Sequence, residues 1–322
     1  MHPAYSVIIF TTISGAGYGL LLLTTLGLAL GMLGLSPLFM LVLLGISLTL
    51  VTIGLFSSMT HLGHPERAWR AISQWRSSWL SREGLFALLT YIPSGLLGLT
   101  YVFGIMTELR PALAIITAIL ALITVYCTGM IYASLRTIRA WYQPLTSPIY
   151  VALSLLSGAL ILQVFLTLSG GASDILMQLG MLLCGVTLLL KLFYWKKIDE
   201  APYDYTVQQA LGFPDAVEVR QVEPAHTQAN FVMREMGYKV ARTNSAKLRK
   251  LMVVLGFVLP FLCLMAAIMV PTQVIPLMLV LLVAHMIGLM VERWLFFAEA
   301  QHVVNLYYYS ISPELKNRIG TD

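Results

Sequence analysis

PLFMLVLLGISLTLVTIGLFSSM, residues Pro37–Met59, runs for 23 residues without a charge. About 20 apolar residues, at 1.5 Å of helical rise each, cross the hydrocarbon core of a bilayer. The run is continuous rather than alternating, which excludes a barrel strand. Seven more stretches qualify: Ser6–Met32, Leu85–Ile105, Pro111–Leu135, Pro148–Leu168, Ile175–Trp195, Leu251–Val270 and Val274–Phe297. Pro37, Pro111 and Pro148 mark helix starts, because a first-turn proline gives up no hydrogen bond. Asp174 places a carboxylate at the positive end of the sixth helix. The Pro271-Thr272-Gln273 turn makes the last two spans a hairpin. The first span lacks the basic flank of a signal peptide and reads as a retained helix. The expected fold is all-α: a single polytopic membrane domain over residues 1–322, with eight transmembrane helices divisible into two bundles of four.

Composition agrees. Of 322 residues, 58% are hydrophobic and 11% charged, against about 25% charged in soluble domains. Such a chain is neither a soluble enzyme, nor disordered, nor a nucleic-acid-binding domain. Cys127, Cys184 and Cys263 lie far apart in apolar runs and form no CxxC or disulfide framework.

An even number of spans puts both termini on one side, with the 60–84, 136–147 and 196–250 loops. All lysines and arginines except Arg110 fall on that side. The positive-inside rule therefore predicts cytoplasmic termini and cytoplasmic large loops. The other side has only short turns, among them those near Gly34, Glu108 and Gly170, so a docking surface is expected on the cytoplasmic face.

The most informative loop is SSMTHLGHPERAWRAISQWRSSWLSREG, residues 57–84. His61 and His64 flank Gly63 where the second span ends. Ala68, Ala71, Ile72, Trp75 and Trp79 fall at helical spacing, with Arg67 and Arg70 off that face, predicting a short amphipathic interfacial helix. Indoles and arginines there also serve as an aromatic belt and as topology signals. Glu83 has an ordinary reading, a carboxylate in the first turn of a helix capped by Ser81. Its other reading is functional, since ionisable groups at membrane depth are functional suspects. His61 is harder to explain structurally, because a headgroup-depth imidazole can exchange protons with a bound molecule near neutral pH.

The string THLGHPERAWRAISQWRSSWLSRE resembles the hallmark segment of the DMSO-reductase anchor-subunit family. There His-Leu-Gly-x-Pro-x-Arg-Ala ends the second helix and Ser-x-Glu opens the third. The opening MHPAYSVIIFTTISGAGYGL and the loop HTQANFVMREMGYKVARTNSAKLR resemble one branch, the membrane subunits of sulfite dehydrogenase complexes. The resemblance implies an anchor in a bacterial cytoplasmic membrane that binds no haem or metal of its own. It implies two partners, a four-cluster iron–sulfur subunit and a molybdopterin catalytic subunit. It also implies a site where quinone is an exchangeable substrate. By motif position that site is His61 and Glu83, with Arg67 and the variable-position His64 beside them. Arg67 has two readings, orienting the quinone headgroup or Glu83, and pairing with a phospholipid.

The histidines fit an anchor without haem. Of six, only His285 is deep in a span, and two bis-histidine haems need four buried ligands. One haem on His285 and His61 stays open, though their depths mismatch. A polar residue hydrogen-bonded inside the bundle is the favoured reading of His285. No P-loop, dinucleotide fingerprint or HExxH is present.

The 196–250 loop contains Tyr203, Tyr205, Phe213, Phe231 and Tyr238, many aromatics for a disordered segment. It reads as an arm held by a partner. Arg70, Arg76, Tyr203, Tyr205, Phe231 and Arg234 are the expected docking residues. The basic end, Lys239–Lys250, suits a protein or anionic lipid equally. Glu292 and Arg293, near the end of the last span, face the bundle or snorkel to the surface. Glu292, Glu299 and His302 read as a polar helix end or as a proton route.

The leading function is a quinone-reactive anchor passing electrons from sulfite to quinone. The alternative is the anchor of a DMSO- or polysulfide-type reductase oxidising menaquinol. A different class is a secondary transporter, which needs broken helices and ionisable groups near the midplane. The charges here cluster at span ends. A purely structural anchor would need neither His61 nor Glu83.

Overall fold

The computed structural model describes residues 5–60, 62, 64–200, 206–214, 216–219 and 243–300. Eight helices among them are long and apolar enough to cross a membrane. They are α1 (Tyr5–Ala29), α2 (Pro37–Met59), α3 (Trp79–Phe103), α4 (Arg110–Ala133), α5 (Thr146–Leu168), α6 (Asp174–Asp199), α7 (Ser245–Met269) and α8 (Val274–Ala298). No strand occurs among the described residues. The all-α, eight-span expectation holds.

Local chemistry sets the helix ends. Ser36, Ser78 and Ser173 accept backbone N–H groups at the starts of α2, α3 and α6, offsetting donors that have no partner within the helix. Helices α3 and α7 begin at Trp79 and Ser245, ahead of their apolar runs. Their first turns cross the polar interface, where length-and-hydropathy reasoning is blind. The α3 cap is therefore Ser78, not Ser81 as the sequence suggests. The Ser81 hydroxyl donates to the Ala71 carbonyl instead.

Contacts close two four-helix rings. One runs α1–α2–α3–α4 and back to α1; the other runs α5–α6–α7–α8 and back to α5. They join where α1 and α4 pack on α5 and α1 touches α8. Lipid provides no hydrophobic drive between helices, so close backbone packing must hold them. At the α1–α5 crossing a Cβ on Gly158 would stand 2.1 Å from the Gly19 carbonyl carbon. Ser154 Oγ donates to Gly15 O across the same contact at 2.6 Å. Outward side chains such as Leu88, Ile92, Leu96 and Leu99 on α3 stay exposed, as a lipid-facing surface requires.

Gly256 and Gly288 make the matching close approach between α7 and α8. Gly256 lies in a π turn, Val254–Val258. Such turns widen the helical ladder and recur at functional positions. His285 Nδ1 lies 2.9 Å from Gly256 O and its Nε2 2.9 Å from Ser157 Oγ. Both ring nitrogens thus have partners inside the bundle, as the favoured reading of His285 expected.

The turn between α4 and α5 is locked at the loop-rich end. Trp141 donates its indole N–H to Phe296 O at 2.9 Å and stacks on the Phe296 ring. Tyr132, Tyr150 and Phe297 complete the aromatic cluster.

Candidate functional site

The segment after α2 is a short helix, as the spacing predicted, wound as a 3-10 helix over Pro65–Gln74. The carbonyls just past its end, at Trp75 and Arg76, are taken by a side chain of the following segment. Arg82 Nε donates to Trp75 O at 2.9 Å and Arg82 Nη2 to Arg76 O at 2.7 Å. The same guanidinium lies 4.2 Å from the centre of the Trp79 ring, a cation–π contact. Together with Ser81, Arg82 therefore fastens the loop to the first turns of α3. Ala68 and Ile72 are half-buried, while Trp69 and Trp75 point outward.

One turn further along, Glu83 points the other way. It is 4% exposed and sits inside the first ring. Its carboxylate accepts from the Thr128 hydroxyl on α4. It lies past the first turn of α3 and is bound to another helix, so the N-terminal-charge reading does not describe it. An inward carboxylate near the helix end remains.

Of the other residues of the predicted quinone site, His64 and Arg67 are described. His61 lies outside the described residues. His64 Nδ1 is 3.0 Å from Glu66 Oε1, and Arg67 Nε is 3.7 Å from the same oxygen. Both are largely exposed, and these contacts hold Arg67 to Glu66 rather than to Glu83. Such exposed pairs contribute little to stability. Of the expected docking residues, Arg70 and Arg76 are exposed beside Trp69 and Trp75. Phe213 is also exposed. Tyr203, Tyr205, Phe231, Arg234, Tyr238 and His302 lie outside the described residues.

A second cluster is only partly legible in the sequence. Lys191 in α6 reads there as one of the basic residues leading into the long loop. It is instead 1% exposed, with Nζ donating to Glu292 Oε1 at 2.8 Å. Arg293 Nε donates to the other oxygen, Glu292 Oε2. Glu292 and Arg293 thus face the bundle and do not snorkel. Two cations share one carboxylate, so the buried group carries one excess positive charge. Lys191 is eight residues before the end of α6, about 12 Å by helical rise, so these charges are not confined to the span ends. The missed signal was a lone lysine in an apolar run complemented by an acid in another, since membrane-buried charges pair.

Nearer the surface, Arg249 grips both Asp199 oxygens at 2.5 and 2.9 Å and reaches Glu299 Oε1 at 2.6 Å. Burial pushes the Glu299 carboxyl above its ordinary range, with Arg249 pulling it down. These contacts tie the ends of α6, α7 and α8 together. Glu83, the charge cluster and this clamp all lie toward the end that carries the long loops.

A family model described as DMSO reductase anchor subunit (DmsC) matches residues 1–298. The chain belongs to the DMSO reductase anchor subunit family. It is 32% identical over 330 residues to a subunit of the sulfite dehydrogenase of Allochromatium vinosum, an alignment covering 97% of this chain and all of that protein. It is 31% identical over 130 residues to one chain of the anaerobic dimethyl sulfoxide reductase of Escherichia coli, covering 38% of this chain and 42% of that one. With eight spans and an anchor family, this DmsC-family protein is a multi-pass membrane protein and an anchor subunit of an oxidoreductase complex. The motif residues His61, Arg67, Ser81 and Glu83 fall within the matched region. Chemically, the site offers a buried carboxylate held by a hydroxyl, beside a loop fastened to the same helix.

Proposed function

We propose that this chain anchors a sulfite-oxidising molybdenum and iron–sulfur complex and passes its electrons to membrane quinone. The full-length similarity to a sulfite dehydrogenase subunit, against partial similarity to a dimethyl sulfoxide reductase subunit, favours sulfite oxidation over quinol-dependent reduction. The reading places the chain in a bacterial cytoplasmic membrane, with both termini and all large loops cytoplasmic by the positive-inside rule. The iron–sulfur subunit docks on that face, against Arg70, Arg76 and the 196–250 arm, and carries the molybdopterin subunit. This chain adds no redox centre of its own, so electrons reach quinone directly from the nearest partner cluster.

The observation that carries the site is Glu83, a carboxylate buried near the helix end and aimed inward at Thr128. In this reading His61 hydrogen-bonds a quinone oxygen and Glu83 supplies a proton as the quinone takes up two electrons and two protons. General acid catalysis of this kind requires a positioned carboxyl within reach of the reacting oxygen. Arg67 and His64 sit on the exposed side of the loop, suited to the headgroup region at the mouth of the site.

The test separates the two half-reactions. His61→Ala and Glu83→Gln should each leave sulfite oxidation by a soluble dye intact in the assembled complex while quinone-linked turnover falls by about 100-fold, within the range for removing a general acid–base group. Undiminished quinone reduction in the double variant would refute the site.

A further inference from the structure

Four side chains that the quinone site does not use meet around one interior cavity. Thr12 and Tyr18 come from α1, Tyr150 from α5 and Arg293 from α8. They are 0%, 3%, 5% and 2% exposed. By strict hydrogen-bond geometry Thr12 Oγ1, Tyr18 OH, Tyr150 OH and both Arg293 Nη atoms lack a protein partner, although Arg293 lies 3.9 Å over the Tyr150 ring with that hydroxyl close by, and the Tyr18 hydroxyl is close to Thr124. Buried polar groups in native proteins are almost always paired. Five unpaired atoms around one hole therefore point to something bound there.

The donor set identifies its chemistry. A guanidinium only donates, and each of the three hydroxyls has a proton to give. Charge points the same way. Glu292 is shared between Lys191 and Arg293, so one positive charge is left over, and the unpaired face of Arg293 carries it into the cavity. Glu83 is held by Thr128, which also lines the cavity.

Size limits the ligand. The cavity leaves ≈ 20 Å³ for the centres of water-sized spheres, room for about one such sphere and little more. A ligand of that size is a single atom or small ion rather than a ring.

We propose that this cavity is a binding site for one small monovalent anion of the chloride type, held by Arg293, Tyr18, Tyr150 and Thr12. The anion sits on the face of Arg293 that Glu292 does not occupy and joins α1, α5 and α8 where the two helix rings meet. The site shares the lining residue Thr128 with the quinone reading but does not rest on it.

The experiment uses the intact complex in detergent, with chloride replaced by gluconate at equal ionic strength. Chloride or bromide should raise the unfolding midpoint of the membrane subunit by a few degrees over gluconate, and sulfate should not. Tyr150→Phe and Thr12→Val remove single hydroxyls while keeping the packing, and each should weaken the halide effect at least several-fold. Arg293→Gln, where it assembles, should abolish the effect. Bromide-exchanged crystals should give an anomalous peak within hydrogen-bonding distance of Arg293. A halide effect unchanged in Tyr150→Phe and Thr12→Val would overturn the proposal. So would ordinary water density there without an anomalous peak.

Discussion

Changing Glu292 to Gln should harm this protein more than replacing Lys191 alone or the whole Lys191–Glu292 pair. Glu292 is 1% exposed and accepts from Lys191 Nζ at 2.8 Å and from Arg293 Nε. Glu292→Gln leaves two buried cations facing a neutral amide. Stranding a buried charge costs about 3–5 kcal/mol, and two are stranded here. Lys191→Met instead leaves a balanced Arg293–Glu292 pair and removes the excess charge, so it should cost no more than about 1 kcal/mol, as apolar replacement of buried ions often does. The double variant strands only Arg293 and should fall between the two. Restoring stability by adding Lys191→Met to Glu292→Gln is the signature of a shared carboxylate. Reversible unfolding in mixed detergent and dodecyl sulfate, followed by tryptophan fluorescence, would give the three free energies. If Lys191→Met proves as damaging as Glu292→Gln, or the double variant worse than either, the charge accounting is wrong.

Four other outcomes follow from the same structure. Gly158→Leu should block folding, because its Cβ would already stand 2.1 Å from Gly19, whereas Gly185→Leu, with nothing within 4 Å, should be tolerated; yield of the monodisperse membrane subunit separates them. Thr128→Val removes the hydroxyl that donates to Glu83 and should cost about 1–3 kcal/mol, with quinone-linked turnover falling more than dye-linked turnover. Reporter fusions after Ser73, Thr146 and Val222 should report cytoplasm and those after Gly34 and Gly170 periplasm; a reversed pattern would invert the proposed sidedness. Deleting residues 205–240 should leave the eight helices inserted while copurification of the soluble subunits drops, and undiminished copurification would remove that arm from the dock.

The eight spans were legible because length and hydropathy alone define a membrane-crossing helix. Their ends were less so. Helices α3 and α7 each begin with polar or aromatic residues, Trp79–Gly84 and Ser245–Lys250, that an apolar window discards although the backbone is already helical there. Misplacing the start of α3 also misassigned its cap and made Glu83 look like a first-turn acid. What Glu83 touches could not be read at all, since Thr128 lies 45 residues away on another helix. The Lys191–Glu292 pair, separated by 101 residues, was readable in principle, because opposite charges in two apolar runs are suspicious. The 3-10 form of Pro65–Gln74 was hidden for a different reason. Ser81 takes the Ala71 carbonyl within it and Arg82 the Trp75 and Arg76 carbonyls just beyond it, contacts of the folded corner and not of the local pattern.

The polarity of the molecule constrains where chemistry with a soluble partner can occur. At one end the helices are joined by the short segments 30–36, 104–109, 169–173 and 270–273. Arg110 there is turned back on Thr100 and Tyr101. That end offers little for a partner to hold. The other end carries the 3-10 segment, the Trp141 turn and the residues between α6 and α7. Glu83 lies four residues into α3, about 6 Å below its start by helical rise. A redox centre seated against the fastened 64–78 loop would thus face quinone across little more than the first turn of α3. Direct electron transfer needs that proximity when the anchor carries no centre of its own. Arg82 and Ser81 fasten the loop with the same turn of helix that sets the depth of the carboxylate, so under the proposed docking the partner's footing and the carboxylate are fixed together. A change at Arg82 should therefore disturb docking and quinone chemistry together, whereas a change at Thr128 should reach only the second.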